Sequence, residues 1–400
     1  MAFHKHSKTN RVAPLTMACA YDPCYQAIFC MLSFILFKLY SLWNSGFDVS
    51  ALEERTLIAQ LAKSYDFPWL AWIVYLQTPL MVLLVFNYAS KTIAQGTKVP
   101  QILINRTDMH RKVAIVTGGS SGVGKEVACQ LLKWNCKVVI TARDKTKGAN
   151  AVEYLRKQAN VDFKMIQFVE MDLNDPKSIK LAVEEILKTN ASIDFLINNA
   201  GIATNVHLNA YKQEAMFATN FLGHFQLTKL LMPTLVRFKA RVINVSSIAH
   251  YYYNPNKDTI LRDGNTTNMP YNTSAQVYYG RSKLFNLWHA QALQRRFDNV
   301  GNKNCGPVAF SCGPGIVATP LLERYSSIVL PKFISAIVNQ FTKKPKEGAN
   351  TILYLCASPL SDLVPGGYYY ECQLGYVSKY AQNVAQQEAL YKLADKMTLN

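Results

Sequence analysis

Six short apolar runs rich in β-branched residues recur downstream of Lys112: Val113–Thr117, Val138–Thr141, Ile166–Val169, Phe195–Asn198, Val242–Val245 and Val308–Ser311. Each is separated from the next by a stretch long enough for a helix. Continuously apolar strands are buried on both faces, and helix-length crossovers join strands that run parallel. The pattern therefore predicts an α/β fold, a Rossmann-type doubly wound parallel sheet with helices on both faces. Such a sheet binds its ligands at the carboxyl ends of the strands.

The preceding residues read differently. Cys24 to Trp43 is apolar apart from Lys38, and a second run from Pro68 to about residue 89 carries no charge and has Pro79 at its centre. Each is about the 20 residues that a membrane-spanning helix needs. Lys5, Lys8 and Arg11 precede the pair; Lys91, Lys98, Arg106, Arg111 and Lys112 follow it; Asp48, Glu53, Glu54 and Asp66 lie between. The positive-inside rule then predicts a hairpin with both ends in the cytosol. An alternative has one run lying in the interface as an amphipathic anchor. No Ala-x-Ala-like site follows the first run, which argues against a cleaved signal. Residues 1–110 are thus expected to be an N-terminal membrane-anchoring helical segment, and residues 111–400 the α/β domain.

Lys and Arg outnumber Asp and Glu by 43 to 26, a net charge of +17. No zinc-finger spacing, RNA-binding signature or aromatic-interleaved basic patch accompanies this charge, so nucleic acid is not an expected partner. A membrane surface and an anionic, phosphate-rich ligand are. The nine cysteines are odd in number and scattered, which fits a reducing compartment. Cys19, Cys24 and Cys30 are either acylation sites or thiols packed in the membrane segment. The seven histidines form no ligand cluster, so no metal is expected.

Three motifs carry chemistry. Val113-Ala-Ile-Val-Thr-Gly118-Gly119-Ser120-Ser121-Gly122-Val123-Gly124 is a strand, a Gly-rich turn and a helix start. Such a turn lets backbone approach a pyrophosphate, and the free N–H groups of the helix start attract its charge. The next strand ends in Arg143-Asp144. An acidic residue at that tip would hold a ribose 2′-hydroxyl, whereas Arg143 suits a 2′-phosphate; a solvated loop charge is the other reading of Arg143. Tyr279 and Lys283 stand four apart in Tyr-Gly-Arg-Ser-Lys, hence on one face of a helix. The ammonium can favour phenolate and bring a group that normally titrates near pH ~10 into proton exchange near neutrality.

Together these motifs resemble the short-chain dehydrogenase/reductase family, which uses the Thr-Gly-x-x-x-Gly-x-Gly spacing. The resemblance covers about residues 110–400. It implies cofactor contacts from Gly118, Ser120, Ser121, Gly122, Val123, Gly124 and Arg143, and from Asp172 and Leu173 in Met171-Asp-Leu. It also implies contacts from Asn199, Ala200 and Gly201 in Asn198-Asn-Ala-Gly, and from Pro314, Gly315, Val317 and Thr319 in the loop that cradles the nicotinamide. NADP(H) is favoured over NAD(H) because of Arg143. The implied catalytic set is Asn220, Ser247, Tyr279 and Lys283, the last two also touching the cofactor. Ser246 is the neighbour most easily confused with Ser247, and Tyr278 with Tyr279. The 32 residues from Ser247 to Tyr279 hold an insert, residues 251–277, comparable to one in retinol-dehydrogenase-like members.

The tail resembles the retinol dehydrogenase and polyprenol dehydrogenase branch. The resemblance implies hydride transfer between NADP(H) and the carbonyl or alcohol of a lipophilic substrate: a retinoid, polyprenoid or steroid. A non-catalytic membrane scaffold or redox sensor is the alternative; an intact Ser247, Tyr279 and Lys283 argues against it. The apolar stretch Ile328–Phe341 reads either as a lid that dips into lipid or as a core helix. An intracellular membrane, the endoplasmic reticulum or a lipid droplet, is expected, with the domain facing the cytosol. Homo-oligomers are common in the family. Sequons begin at Asn105, Asn190, Asn244, Asn265 and Asn272 and matter only if the domain is lumenal.

Overall fold

Alternation along the strands divides the core into two layers. Val113 and Ile115 pack with Ile179, Val183, Leu227, Leu231, Ala290 and Leu293 on one face of the sheet. Ala114 and Val116 pack with Val127, Leu131, Leu155, Ile352 and Leu355 on the other. Each fully buried aliphatic side chain stabilises by about 1.5–3 kcal/mol, so both layers are needed to offset the ordering of the chain.

The computed structural model describes residues 97–100, 103, 107–267, 273–300, 306–323 and 342–398. The two apolar segments at 24–43 and 68–89, the stretch 328–341, and the sequons at Asn105 and Asn272 lie outside the described residues. Among the described residues no helix is long and apolar enough to cross a membrane.

The strands are β1 (Val113–Thr117), β2 (Lys137–Ala142), β3 (Ile166–Glu170), β4 (Phe195–Asn198), β5 (Arg241–Val245), β6 (Val308–Gly313), β7 (Tyr368–Tyr370) and β8 (Gln373–Leu374). They form one sheet in the order β3-β2-β1-β4-β5-β6-β7-β8. All neighbours are parallel except β7 and β8. The order reverses between β1 and β4, the switch point at which a doubly wound sheet opens a crevice.

Helices α1 (Gly122–Lys133), α2 (Lys145–Ala159) and α6 (Asn350–Ala357) cover one face; α3 (Pro176–Thr189), α4 (Gly223–Arg237) and α5 (Ala275–Val300) cover the other. Asp144 and Asp175 cap α2 and α3 by accepting from the Lys147 and Lys177 N–H groups, and Pro176 opens α3. A third, aromatic cluster joins Phe217, Phe221, Phe225, Tyr253, Phe285 and Trp288 to Leu390 of α7 (Val384–Met397).

The six strands expected from sequence are all present, within two residues at each end. The hairpin β7–β8 was not expected. Its strands span three and two residues, and its turn residues Glu371 and Cys372 take positive φ, 52° and 58°. A run that short has no period of its own; pairing with β6 creates it.

Candidate active site

The carboxyl ends of β1, β4, β5 and β6 meet in one region, and the Gly-rich turn is its floor. Gly118 leaves β1 with φ +66°, and a methyl on it would lie 3.0 Å from Ala200 Cα. A methyl on Gly124 would lie 2.6 Å from the Gly118 carbonyl oxygen. Side chains at either position would close the approach to backbone. Ser121 is the N-cap of α1, yet no side chain caps that helix, unlike α2 and α3. The first N–H groups of α1 are left for an anion, the arrangement a pyrophosphate requires. A nicotinamide dinucleotide therefore fits the residues present.

One buried network sets the rear of the crevice. Thr117 Oγ1 accepts from the Asn199 and Ala200 N–H groups, and Asn199 Nδ2 donates to the Thr117 carbonyl at 2.8 Å. His224 Nδ1 stands 3.0 Å from the Asn220 carbonyl oxygen, which only accepts, so Nδ1 carries the hydrogen. Nε2 must then accept from the Thr117 hydroxyl, 2.8 Å away. Burial pushes the His224 imidazole down to about 4, so the ring is neutral in this role.

The helix before α4 is not regular. It starts at Ala215–Phe217, passes through a π turn at Ala218–Leu222, and continues as α4. Asn220 sits in the middle of that turn and is fully buried. Such turns displace one residue from the helical ladder. Asn220 Oδ1 accepts from the Ile202 N–H, while Nδ2 donates to the Ile202 carbonyl and to Ser282 Oγ. Ser282 Oγ in turn donates to the Tyr279 carbonyl. The side chain of Asn220 thus ties the loop after β4 to α5.

On α5, Lys283 is 3% exposed and its Nζ donates to the Val245 carbonyl at 3.0 Å. Burial draws its ammonium down to about 8. The Nζ lies 5.5 Å from the centre of the Tyr279 ring. Tyr279 is 9% exposed and packs with Ala203, Met216, Ala249 and Tyr278, bordered by Ile202, Ala275 and Leu321. A methyl on Gly201 would meet Asn220 Oδ1 at 3.4 Å, Lys283 Nζ at 3.6 Å and Leu321 Cδ1 at 3.7 Å. These groups from the loop after β4, the π turn, α5 and the segment after β6 therefore converge on one point.

The paired candidates separate by burial. Ser246 is 1% exposed and its Oγ donates to the Lys283 carbonyl, whereas Ser247 is half-buried at the mouth of β5. Ser247 Oγ accepts from the Ala249 N–H, and its carbonyl accepts from His250 Nδ1. His250 Nε2 accepts from the Ser378 N–H, so this ring is also neutral and anchors the Ser247 turn to the C-terminal segment. Tyr278 donates its hydroxyl to the Thr267 carbonyl, away from Lys283.

The remaining expected contacts are distributed around the crevice. Arg143 is exposed at the tip of β2, while Asp144 caps α2. Asp172 accepts from the Asn174 N–H, in a local turn. The loop after β6 closes on the Gly-rich turn: a methyl on Gly122 would lie 3.2 Å from Thr319 Cγ2. Gly315 has φ +84°, with the Lys343 side chain against it, and Val317 is bridged to Lys343. Sequence reasoning did not single out His224, His250, Arg281 or Ser282. His224 is four residues after Asn220, a spacing that signals a same-face contact; nothing local marks the other three.

A doubly wound sheet with an uncapped Gly-rich helix start and a buried Lys beside Tyr and Asn defines a nicotinamide-dependent oxidoreductase. The short chain dehydrogenase family model matches residues 112–258. Retinol dehydrogenase 11 of Mus musculus is 30% identical over 319 residues, covering 78% of this chain and 92% of that protein. Retinol dehydrogenase 12 of Homo sapiens is 32% identical over 71% of this chain and 85% of its own length. Short-chain dehydrogenase TIC 32 B of Brassica napus is 32% identical, with 72% and 89% covered. A crystal structure of an uncharacterized protein from Mycobacterium paratuberculosis superposes with a TM-score of 0.55 at 28% identity, covering 72% of this chain and 94% of that one. The chain belongs to the short-chain dehydrogenase/reductase family, in its retinol dehydrogenase-like branch, and is an oxidoreductase acting on CH–OH groups of a small-molecule substrate with a nicotinamide cofactor.

Proposed function

We propose that the chain is a membrane-anchored oxidoreductase in which hydride passes between NADP(H) and the alcohol or carbonyl carbon of a lipophilic substrate. The observation that carries this reading is the convergence of Asn220 Oδ1, Lys283 Nζ and Leu321 on Gly201, beside the apolar wall around Tyr279. The nicotinamide, when bound, supplies or takes the hydride. Tyr279 gives or takes the proton on the substrate oxygen. Ser247 donates a hydrogen bond to that oxygen, favouring the charge that develops there. Lys283 would hold ribose hydroxyls, and its charge assists Tyr279; Asn220 links this pair to water.

The phosphates would rest on the turn from Gly118 to Gly124, the adenosine end beside Asp172 and Leu173, and the nicotinamide end between Asn199–Gly201 and the loop Pro314, Gly315, Val317, Thr319. Asp144 is committed to capping α2, which favours Arg143 as the partner of a 2′-phosphate. The lipid preference is supported by the apolar residues around Tyr279, by relatives named for retinol, and by the two apolar segments of the anchor at residues 1–110. The domain then faces the cytosol at an intracellular membrane.

The test is turnover by membranes containing the full chain, with retinal, a polyprenal or a steroid ketone and either NADPH or NADH. The expected result is NADPH-linked reduction of one lipid, lowered about 10²–10⁴-fold by Tyr279→Phe. Arg143→Ala should cut the preference for NADPH about tenfold, or ~1.4 kcal/mol. Turnover that survives Tyr279→Phe removes the proton role. Equal rates on water-soluble carbonyls remove the lipid preference. Glycosylation of the exposed Asn265 in cells reverses the topology.

A further inference from the structure

Arg281 lies midway between Tyr279 and Lys283, so it projects from the opposite side of α5, about 200° around the helix. It is 0% exposed. Its Nη2 donates to the Thr266 carbonyl at 2.7 Å and to Glu214 Oε2 at 3.3 Å, and its Nη1 donates to Asp258 Oδ2 at 3.2 Å. Both carboxylates are buried and well supplied with donors. Glu214 also accepts from the Met216 and Phe217 N–H groups; Asp258 also accepts from the Ile260 N–H and the Tyr253 hydroxyl. The guanidinium carbon stands 4.9 Å from the Tyr278 ring centre and 5.7 Å from that of Phe217.

Each partner belongs to a segment that carries a candidate reactive group. Glu214 caps the helical turn that runs directly into the π turn of Asn220. Asp258 and Thr266 belong to the insert that follows Ser247. Arg281 itself shares α5 with Tyr279 and Lys283. Next to it, α5 touches the Ser247 turn without slack: a methyl on Gly280 would lie 2.6 Å from the Ala249 carbonyl oxygen. A buried triad of this kind is poor evidence for stability, because apolar residues of similar volume often serve as well. What a guanidinium fork supplies is direction, since it fixes two carboxylates at set angles to one plane.

We infer that Arg281 is a positioning residue whose ion triad with Glu214 and Asp258 sets the spacing of Ser247, Asn220 and Tyr279, making the insert part of the catalytic frame. This inference rests on the roles given above to those three groups. A small misplacement of reacting groups costs about 10²-fold in rate, and that is the size of effect the triad controls.

The experiment uses the full chain in membranes and two variants. One is the charge-free triple variant Arg281→Met, Glu214→Gln, Asp258→Asn; the other is Arg281→Lys, which keeps the charge and loses the fork. Four quantities are read: kcat on a substrate that the unaltered chain turns over, the cofactor Kd from nicotinamide fluorescence, the melting temperature, and hydrogen exchange. The expected result is a kcat about 10² lower in either variant that folds, with the cofactor Kd within about threefold. Exchange should rise in both 215–222 and 248–267. A folded triple variant with kcat within threefold of the unaltered chain overturns the inference. So does a kcat loss matched by an equal loss of cofactor affinity, which marks a general loosening. If the triple variant does not fold, Arg281→Lys decides by the same split. If no substrate is turned over by the unaltered chain, the proposed function fails, and exchange alone decides whether Arg281 couples the two segments.

Discussion

The two halves of the sheet are built by different means. From β1 to β4 the buried polar side chains are Thr117, Thr141, Asn190 and Asn198, and none is charged. Beyond β4 the interior holds Glu214, Arg281 and Lys283, together with His224, His250 and His289, all within a tenth of full burial. The first half is an apolar scaffold whose polar work is done by backbone at a turn and a helix start. The second half positions side chains, and each buried polar group there needs a partner from a distant segment. On the proposed roles, cofactor recognition through backbone would leave the local sequence pattern intact, whereas catalysis through side chains would break it.

The contrast can be broken most severely at Lys283. Lys283→Met should lower kcat by about 10²–10⁴-fold, the range of a lost acid–base function. Burial lowers the Lys283 ammonium to about 8, so the cation is present below that pH and lost above it. In the unaltered chain kcat/KM should therefore fall as pH rises through about 8. A pH–rate profile with no alkaline limb there would detach the activity from Lys283.

A substitution in the apolar half should act on stability. A methyl on Gly148 would lie 2.1 Å from the Phe168 ring, because α2 packs directly on β3 at that point. Gly148→Val should cost about 1–3 kcal/mol by overpacking, read as a lower denaturant midpoint. The fraction that remains folded should keep its kcat. A lower kcat in that folded fraction would mean that the two halves are not separable in this way.

A pH series sharpens the comparison further. Burial pushes His224 and His250 down to about 4 and His289 to about 3. Between those values and the unfolded value near 6.5, the unfolded chain binds more protons than the folded one. Stability is therefore complete above about pH 6.5 and declines as pH falls towards 4, by up to about 1.4 kcal/mol per pH unit for each ring. Melting temperatures of the unaltered chain and of His289→Asn across pH 4–7 should differ by one ring's share of that slope. Equal slopes would place the acid sensitivity elsewhere.

The continuous apolar run from Val113 to Thr117 and its repeats were legible because a strand buried on both faces must be apolar along its whole length. The Gly-rich turn was legible because few residues tolerate the backbone it needs, as φ +66° at Gly118 illustrates. The four-residue spacing of Tyr279 and Lys283 was legible because a helix converts spacing into a shared face. The chain alone determined the first six strands, the Gly-rich turn and the family, since each rests on local periodicity or backbone permission. Tertiary structure alone decided that Arg281, Glu214 and Asp258 meet, that His250 bridges Ser247 to Ser378, and that Ser246 turns inward while Ser247 stays at the mouth of β5. All but the His250–Ser247 contact join residues 23 to 128 positions apart, and a charge or imidazole in sequence carries no mark of the partner that makes its burial affordable.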